Sequence, residues 1–349
     1  MSGFVVWTQY LASAQQNVFA MFIQRNFLFI VMALAVGLAI FMRATVYQRP
    51  PAPLPPPSPV STPAFESYWF GGKAELNHYS LEQARYGAMR TGEAVLVFVT
   101  EDFRTDTQVK SESEASHKLA VPVLKSNYLR RFVTGVYDYS MYTSTFTPIE
   151  QPKFPNTLKV STSVQEWCGH AYMQLNYRDN GYRVSGRSYF EQEVNEDYSV
   201  DKALLEDELL NRIRLNPDKL PVGDIHLIPS SQVSRLRHKK LEPLLATATL
   251  DSAQGVAWTL THKPGVVVGA CKAYILDYKE NGESTAPADR KLTIIFEAAF
   301  PHHIVGWEDS YKDKGKLLTS RAVLQKSLQS DYWNHNAPAD STMRKELGM

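Results

Sequence analysis

LKVSTSVQEWCGHAYMQLNYRDNGYRVSGRSYF, residues 158–190, is the stretch whose reading decides the fold class. Leu158, Val160 and Val164 alternate with Lys159, Ser161 and Ser163, the period of a strand with one buried face. Asp179-Asn180-Gly181 is a tight-turn signal between two such runs. QEWCGHAYMQLNY reads as one continuous strand, in which side chains two apart share a face. Glu166, Cys168, His170, Tyr172, Gln174 and Asn176 then form a polar face. Trp167, Gly169, Ala171, Met173, Leu175 and Tyr177 form the face turned to the core, so truncating Trp167 should cost what any buried aromatic costs.

Working outward, GEAVLVFVTEDF (92–103) is an apolar run of strand length, and RFVTGVYDYSMYTSTF (131–146) is rich in β-branched and aromatic residues. Further strands are expected over 243–250, 255–262, 266–278 and 290–300, with a turn at NGEST (281–285). Three stretches have helical character: 80–89 with Ser80 as cap, 202–215 between Asp201 and Pro217, and 319–333. Sequential strands with few crossovers argue for antiparallel order. The expected fold is mainly β, in the α+β class: one large antiparallel curved sheet, half-barrel or sandwich, with a few helices. The soluble β-rich domain spans 65–310, followed by a C-terminal helix and tail over 311–349.

The chain's net charge of +1 argues against a nucleic-acid binder. The one dense basic run, Arg235 to Lys240 (RLRHKK), reads as a solvated loop. Glu206, Asp207 and Glu208 read as the wet face of a helix. Glu101 and Asp102 stand at a strand end, where a cation could bind. Trp69, Trp167, Trp258 and Trp307 are core aromatics or the lining of a ligand cavity.

Residues 27–42, FLFIVMALAVGLAIFM, carry no charge and lie between Arg25 and Arg43. With Asn26 they reach about 25 Å as a helix, at the short end of a bilayer span. Arg43 stands where a signal-peptide cleavage site would need small residues, so an uncleaved single-pass anchor is expected behind the N-terminal segment 1–26. The linker 43–64 contains PPAPLPPPSPVSTP (50–63), whose prolines favour a stiff polyproline II spacer of about 43 Å. One basic residue before the anchor against two after it weakly favours a cytoplasmic C-terminal domain.

Two cysteines, with no C-x-x-C pair, exclude the usual structural zinc pattern. Cys168, His170 and Glu166 are the candidate catalytic set: a thiol needs a neighbouring base or cation to become nucleophilic, and all three share the polar face. They could instead begin a metal site completed by His302 or His303, or simply be the polar face of a solvated strand. Cys271, in VVVGACKAYIL, reads as a small buried hydrophobe. A Cys168–Cys271 disulfide would need both on one side of the sheet. No G-x-S-x-G motif supports serine chemistry, and no cofactor motif is present.

The segments YWFGGKAELNHYSLEQARYG, GEAVLVFVTEDF, PVLKSN, FVTGVYDYSMYTSTFTP, QEWCGHAYMQLN and LLEDELLNRIR together resemble a family of Bacteroidota envelope proteins of uncharacterised activity, often labelled as septum-formation inhibitors of the Maf type. The resemblance covers roughly 66–310. It implies a secreted or lipid-anchored location, which turns the expected orientation toward the periplasm, and carries over no catalytic residue. The α/β motif of the Maf nucleotide pyrophosphatases is absent. The expected protein is an inner-membrane-anchored periplasmic β-domain that binds a lipophilic ligand or an envelope protein partner. A thiol hydrolase or metalloenzyme at Cys168 is the alternative.

Overall fold

The computed structural model describes residues 62–349 except 152, 192, 194, 254–269 and 280–286. The expected anchor 27–42, most of the linker, Trp258, the strand at 255–262 and the turn at 281–285 lie outside the described residues. Among the described residues no helix is long and apolar enough to cross a membrane.

The expectation of a mainly β chain holds. Among the described residues fifteen strands form one sheet that is not closed. They are β1 Ala74–Arg85, β2 Ala88–Arg104, β3 Ala120–Thr134, β4 Tyr137–Pro148, β5 Lys159–Glu166, β6 Gly169–Arg178, β7 Gly181–Ser188 and β8 Glu196–Asp201. The second run comprises β9 Leu204–Leu205, β10 Gly223–Ile228, β11 Leu244–Ala253, β12 Cys271–Lys279, β13 Arg290–Glu297, β14 Ile304–Asp313 and β15 Lys316–Ser330. The order is two meanders back to back, β8 through β1 and then β15 through β9. Every pairing is antiparallel except β9 with β10. The β6–β7 turn is the predicted one: Asp179 and Asn180 both take positive φ (49° and 66°), as a type I′ turn requires.

Two expected helices are strands. Residues 80–89 lie in β1, its turn at Tyr86-Gly87, and the start of β2; 319–333 lies mostly in β15. These segments are paired to each other, Ser80 with Val323 and Leu81 with Ala322. A partner some 240 residues away supplies the ladder that overrides their helix-forming composition. β14 also runs across residue 310, and the C-terminal helix expected beyond it is replaced by β15.

The edges of the sheet lie close together. β8 and β9 are opposite edges, yet only Lys202 and Ala203 separate them in the chain. Three Cα steps span at most about 11 Å, so the sheet must curl until its edges face one another. Side chains agree: Val160, Leu175, Tyr182 and Val184 of β5–β7 pack against Leu205 and Ile228 of β9 and β10.

Among the described residues five short α-helices accompany the sheet: α1 Pro63–Trp69, α2 Glu114–His117, α3 Leu209–Leu215, α4 Ser231–Arg237 and α5 Met343–Glu346. Of the helix expected over 202–215, only the second half forms, and the first half is β9 and a 3-10 turn over Glu206–Glu208. Leu209, Ile213 and Leu236 of α3 and α4 fill the inside of the curl with Leu81, Leu96, Phe98 and Trp307. Arg214 is fully buried, pairs with Glu75 and lies 5.2 Å from the rings of Trp69 and Phe98. It thereby fastens α1 and α3 to β1.

Trp69 and Trp307 are core residues, as one reading of the tryptophans expects. Trp167 is not. It sits with Cys168 in the β5–β6 turn, 70% exposed, its indole N–H donating to Asp138 at 2.9 Å. The strand reading failed at that turn, and the face assignment holds only from His170 onward. Trp69→Ala is therefore expected to cost about 3–5 kcal/mol, and Trp167→Ala less than about 0.5 kcal/mol. Urea unfolding of the two variants checks the contrast.

Candidate functional site

The three sequence candidates meet at one hairpin. β5 ends at Glu166, Trp167-Cys168 turns the chain, and β6 begins at Gly169. The Cys168 amide donates to the Glu166 carboxylate at 2.8 Å. Cys168 and His170 are both exposed, and neither lines a described cavity. Glu166 acts in the wrong direction for nucleophilic catalysis: its hydrogen bond and negative charge push the Cys168 thiol pKa up. A nucleophilic cysteine needs the opposite environment. Cys168 and Cys271 are not joined in a disulfide. Cys271 is buried with Ala273, Ile295, Val305 and Val323, as expected for a small hydrophobe.

His302 and His303 belong to a different place. His303 holds Glu297 through Nδ1 at 2.7 Å and faces the Tyr68 hydroxyl through Nε2 at 3.2 Å. His302 lies against the Glu297 carbonyl, and burial lowers its pKa. Among the described residues no cluster of His, Cys, Asp and Glu is arranged to hold a metal ion. Glu101 pairs with Lys125 through one oxygen at 3.1 Å, its other oxygen being buried without a hydrogen-bond partner, and Asp102 lies 3.2 Å from His117.

The acidic run Glu206–Glu208 is not a wet face. Glu206 and Glu208 are buried. Glu206 accepts from the Ser230 amide at 3.1 Å, and Asp207 from the Ser231 amide at 3.0 Å and its hydroxyl at 2.7 Å. These carboxylates cap the first turn of α4, where free N–H groups and the helix dipole favour negative charge. Arg290 from β13 donates to both oxygens of Glu206 at 2.6 Å and, through Nε, to Asp309 at 2.7 Å. Burial opposes charge on Glu206, but Arg290, the Tyr278 hydroxyl and the Ser230 amide outweigh it and lower its pKa. At Asp309 burial wins and the pKa rises. Asp207 has no cation in contact, and its enclosure, reinforced by Glu206, raises its pKa. The interior cavity over these groups is about 50 Å³, too small for an acyl chain.

The opposite end of α4 is cationic. The basic run is the helix's last turn and its exit, not a solvated loop. Arg235 is 7% exposed and pairs with Glu193 at 2.8 Å. His238 takes a left-handed conformation (φ 52°), and the Lys239 amide returns to the Ser234 carbonyl at 2.9 Å, closing the helix. The β14–β15 turn brings Lys312 and Lys314 to the same place, and the β1–β2 turn brings Arg85 and Tyr86. Between them lies a cavity of about 390 Å³ in which Arg85, Arg237, Lys239, Lys312 and Lys314 face a single carboxylate, Asp313. Two smaller cavities, of about 210 and 190 Å³, open on the same segment. Reading the sequence singled out RLRHKK but missed this convergence. The only signal for its second half is the run KDKGK (312–316), which the helical reading of the C-terminus obscured.

Comparison with known protein families, with curated proteins and with solved structures finds no match.

Two outcomes follow from these environments. Cys168 should alkylate more slowly with iodoacetamide near pH 7 than an ordinary exposed cysteine, and Glu166→Gln should speed the reaction. For Asp207, a folded-state pKa above the unfolded one means that its contribution is fully present below the unfolded pKa and lost as pH rises through the raised value. Asp207→Asn should therefore be at least as stable as the parent at about pH 7, with that advantage gone at about pH 3. Urea midpoints at both pH values measure it.

Proposed function

We propose that the folded domain is a binding module for an anionic group, held at the cationic cleft around the end of α4. The observation that supports this reading is the 390 Å³ cavity with five cations against one carboxylate, in a chain whose net charge is only +1. Helix capping accounts for basic residues in the last turn of α4. It also accounts for Arg85, which donates to the Leu236 carbonyl at 2.6 Å, but not for Lys312 and Lys314, which the β14–β15 turn brings to the same cavity. Phosphate and carboxylate groups are what such a set recognises.

The half-barrel would be carried on the apolar segment 27–42 and the proline-rich spacer as an anchored envelope domain. That placement rests on those segments and on the family resemblance. A lipid held inside the curl has little support, because α3 and α4 occupy that space. The thiol-hydrolase reading has less, because Glu166 raises the Cys168 pKa and no hydrogen bond joins His170 to its sulfur.

Titration with pyrophosphate at low ionic strength tests the proposal. Binding should weaken with added salt. It should weaken roughly tenfold or more in the double variant Lys312→Gln, Lys314→Asn, since each charged contact carries on the order of 1–3 kcal/mol. Asn is chosen at 314 because that residue has φ 49°, which Asn tolerates. No binding by the parent protein, or equal binding by the variant, overturns the proposal.

A further inference from the structure

The 210 Å³ cavity beside the cleft differs in character from its neighbours. Its floor is apolar, made by Val164 of β5 and Ala171 and Met173 of β6. Its lip carries Arg235, Lys239 and Lys240, with His238 between them, and two carboxylates, Glu193 and Glu196; Arg187 also lines it but is held by Asp197 at 2.8 Å. Of the two carboxylates, Glu193 is already engaged. It accepts from Ser188 at 2.7 Å, lies 2.6 Å from His238 Nδ1 and pairs with Arg235 at 2.8 Å. The Arg235 Nε–H, by contrast, has no partner although the side chain is more than nine-tenths buried. A buried guanidinium N–H without an acceptor is costly, here as at Arg85 and Arg214, and Glu193 alone balances the Arg235 charge at this lip.

The room exists because β7 carries Gly186 opposite Met173. A Cβ at Gly186 would meet only the Glu196 Cβ, at an ordinary 3.7 Å, so neither backbone geometry nor crowding demands glycine there. What glycine leaves is volume over the apolar floor. A cavity of about 150 Å³ suffices for benzene in a dry protein core.

We infer that this pocket takes an amphiphilic anion: a phosphate or carboxylate at the Arg235–Lys240 lip, joined to an apolar body about the size of one ring lying on Val164, Ala171 and Met173. This rests on the anion-binding reading above and specifies its ligand. A bare anion uses only the lip, whereas an aryl or alkyl anion uses both.

The test compares inorganic phosphate with phenyl phosphate by calorimetry on the folded protein. Phenyl phosphate should bind at least about tenfold more tightly, the order expected when a ring's apolar surface leaves water. Gly186→Leu fills the floor without touching the cations; it should abolish that advantage and leave phosphate binding unchanged. Ala171→Leu provides the same test if the first variant folds poorly, which thermal melts reveal. Equal affinity for the two probes overturns this inference while the anion reading stands; failure of both probes to bind overturns both. Vesicles of phosphatidylcholine doped with phosphatidylglycerol separate the sources. Protein that sediments with them, and not after Gly186→Leu, takes a lipid; phenyl phosphate binding without sedimentation means a soluble amphiphile.

Discussion

Arg290 is the residue on which the interior depends. Its guanidinium is buried with two carboxylates, Glu206 from the segment entering α3 and Asp309 from the neighbouring strand β14. Removing charges from water is costly, and the arrangement is tolerable only because nearly every donor and acceptor is matched. Arg290 also lies 4.8 Å from the Tyr278 ring, and Tyr278 in turn donates to Glu206. The set fixes where the 3-10 turn sits against the sheet, and so where Glu206 and Asp207 meet the first amides of α4. A seven-residue helix is marginal in isolation. Here its start is held by carboxylates that Arg290 has already placed.

The cationic cleft follows from that placement. With the acidic end of α4 set deep in the curl, its basic end emerges beside the β1–β2 and β14–β15 turns. Charge is thus segregated along one short helix, with carboxylates toward the core and guanidinium and ammonium groups toward the mouth. The near-zero net charge conceals this, because it sums two populations in different places. A local cationic mouth acts on approaching anions within a screening length whatever the chain's net charge.

Much of the sheet was legible in short windows. The run at 92–103, the alternation at 158–164 and the Asp-Asn-Gly turn each carry their own evidence, because the partner strand lies next in sequence. β1 and β15 were not legible, for one shared reason. They are neighbours in mid-sheet, joining the two meanders, and β1 is buried on both faces. A strand covered on both sides shows no two-residue alternation. Its polar residues find partners elsewhere: Gln83 with Ser320 at 3.0 Å and Arg85 with Tyr139 at 3.0 Å. In sequence, Glu, Gln, Ala and Arg in a row look like a helix. The cleft was illegible for the same reason, since its cations come from segments 85, 235–240 and 312–314, which only this seam brings together. At 165–170 the failure was smaller: Trp167-Cys168 carries no Gly, Asn or Pro to mark a turn, so the two strands read as one.

The pocket exists because the sheet does not close. Passing from β8 to β9 through Lys202 and Ala203 brings the edges together, but β9 is two residues long and pairs parallel with β10, and it forms no ladder with β8. A gap that cannot be zipped by backbone must be filled by side chains and by the segment leaving α4. Tyr198 of β8 does this directly: its hydroxyl donates to the Leu241 carbonyl and accepts from the Leu241 amide, both at 3.1 Å. Lys240 lies over its ring at 4.1 Å. The filling is polar and cationic where the chain exits the helix and apolar where β5–β7 turn inward. Had β8 and β9 hydrogen-bonded, the exit of α4 would have no opening to line. The amphipathic pocket is the space left between a curl that stops short and the helix that plugs it.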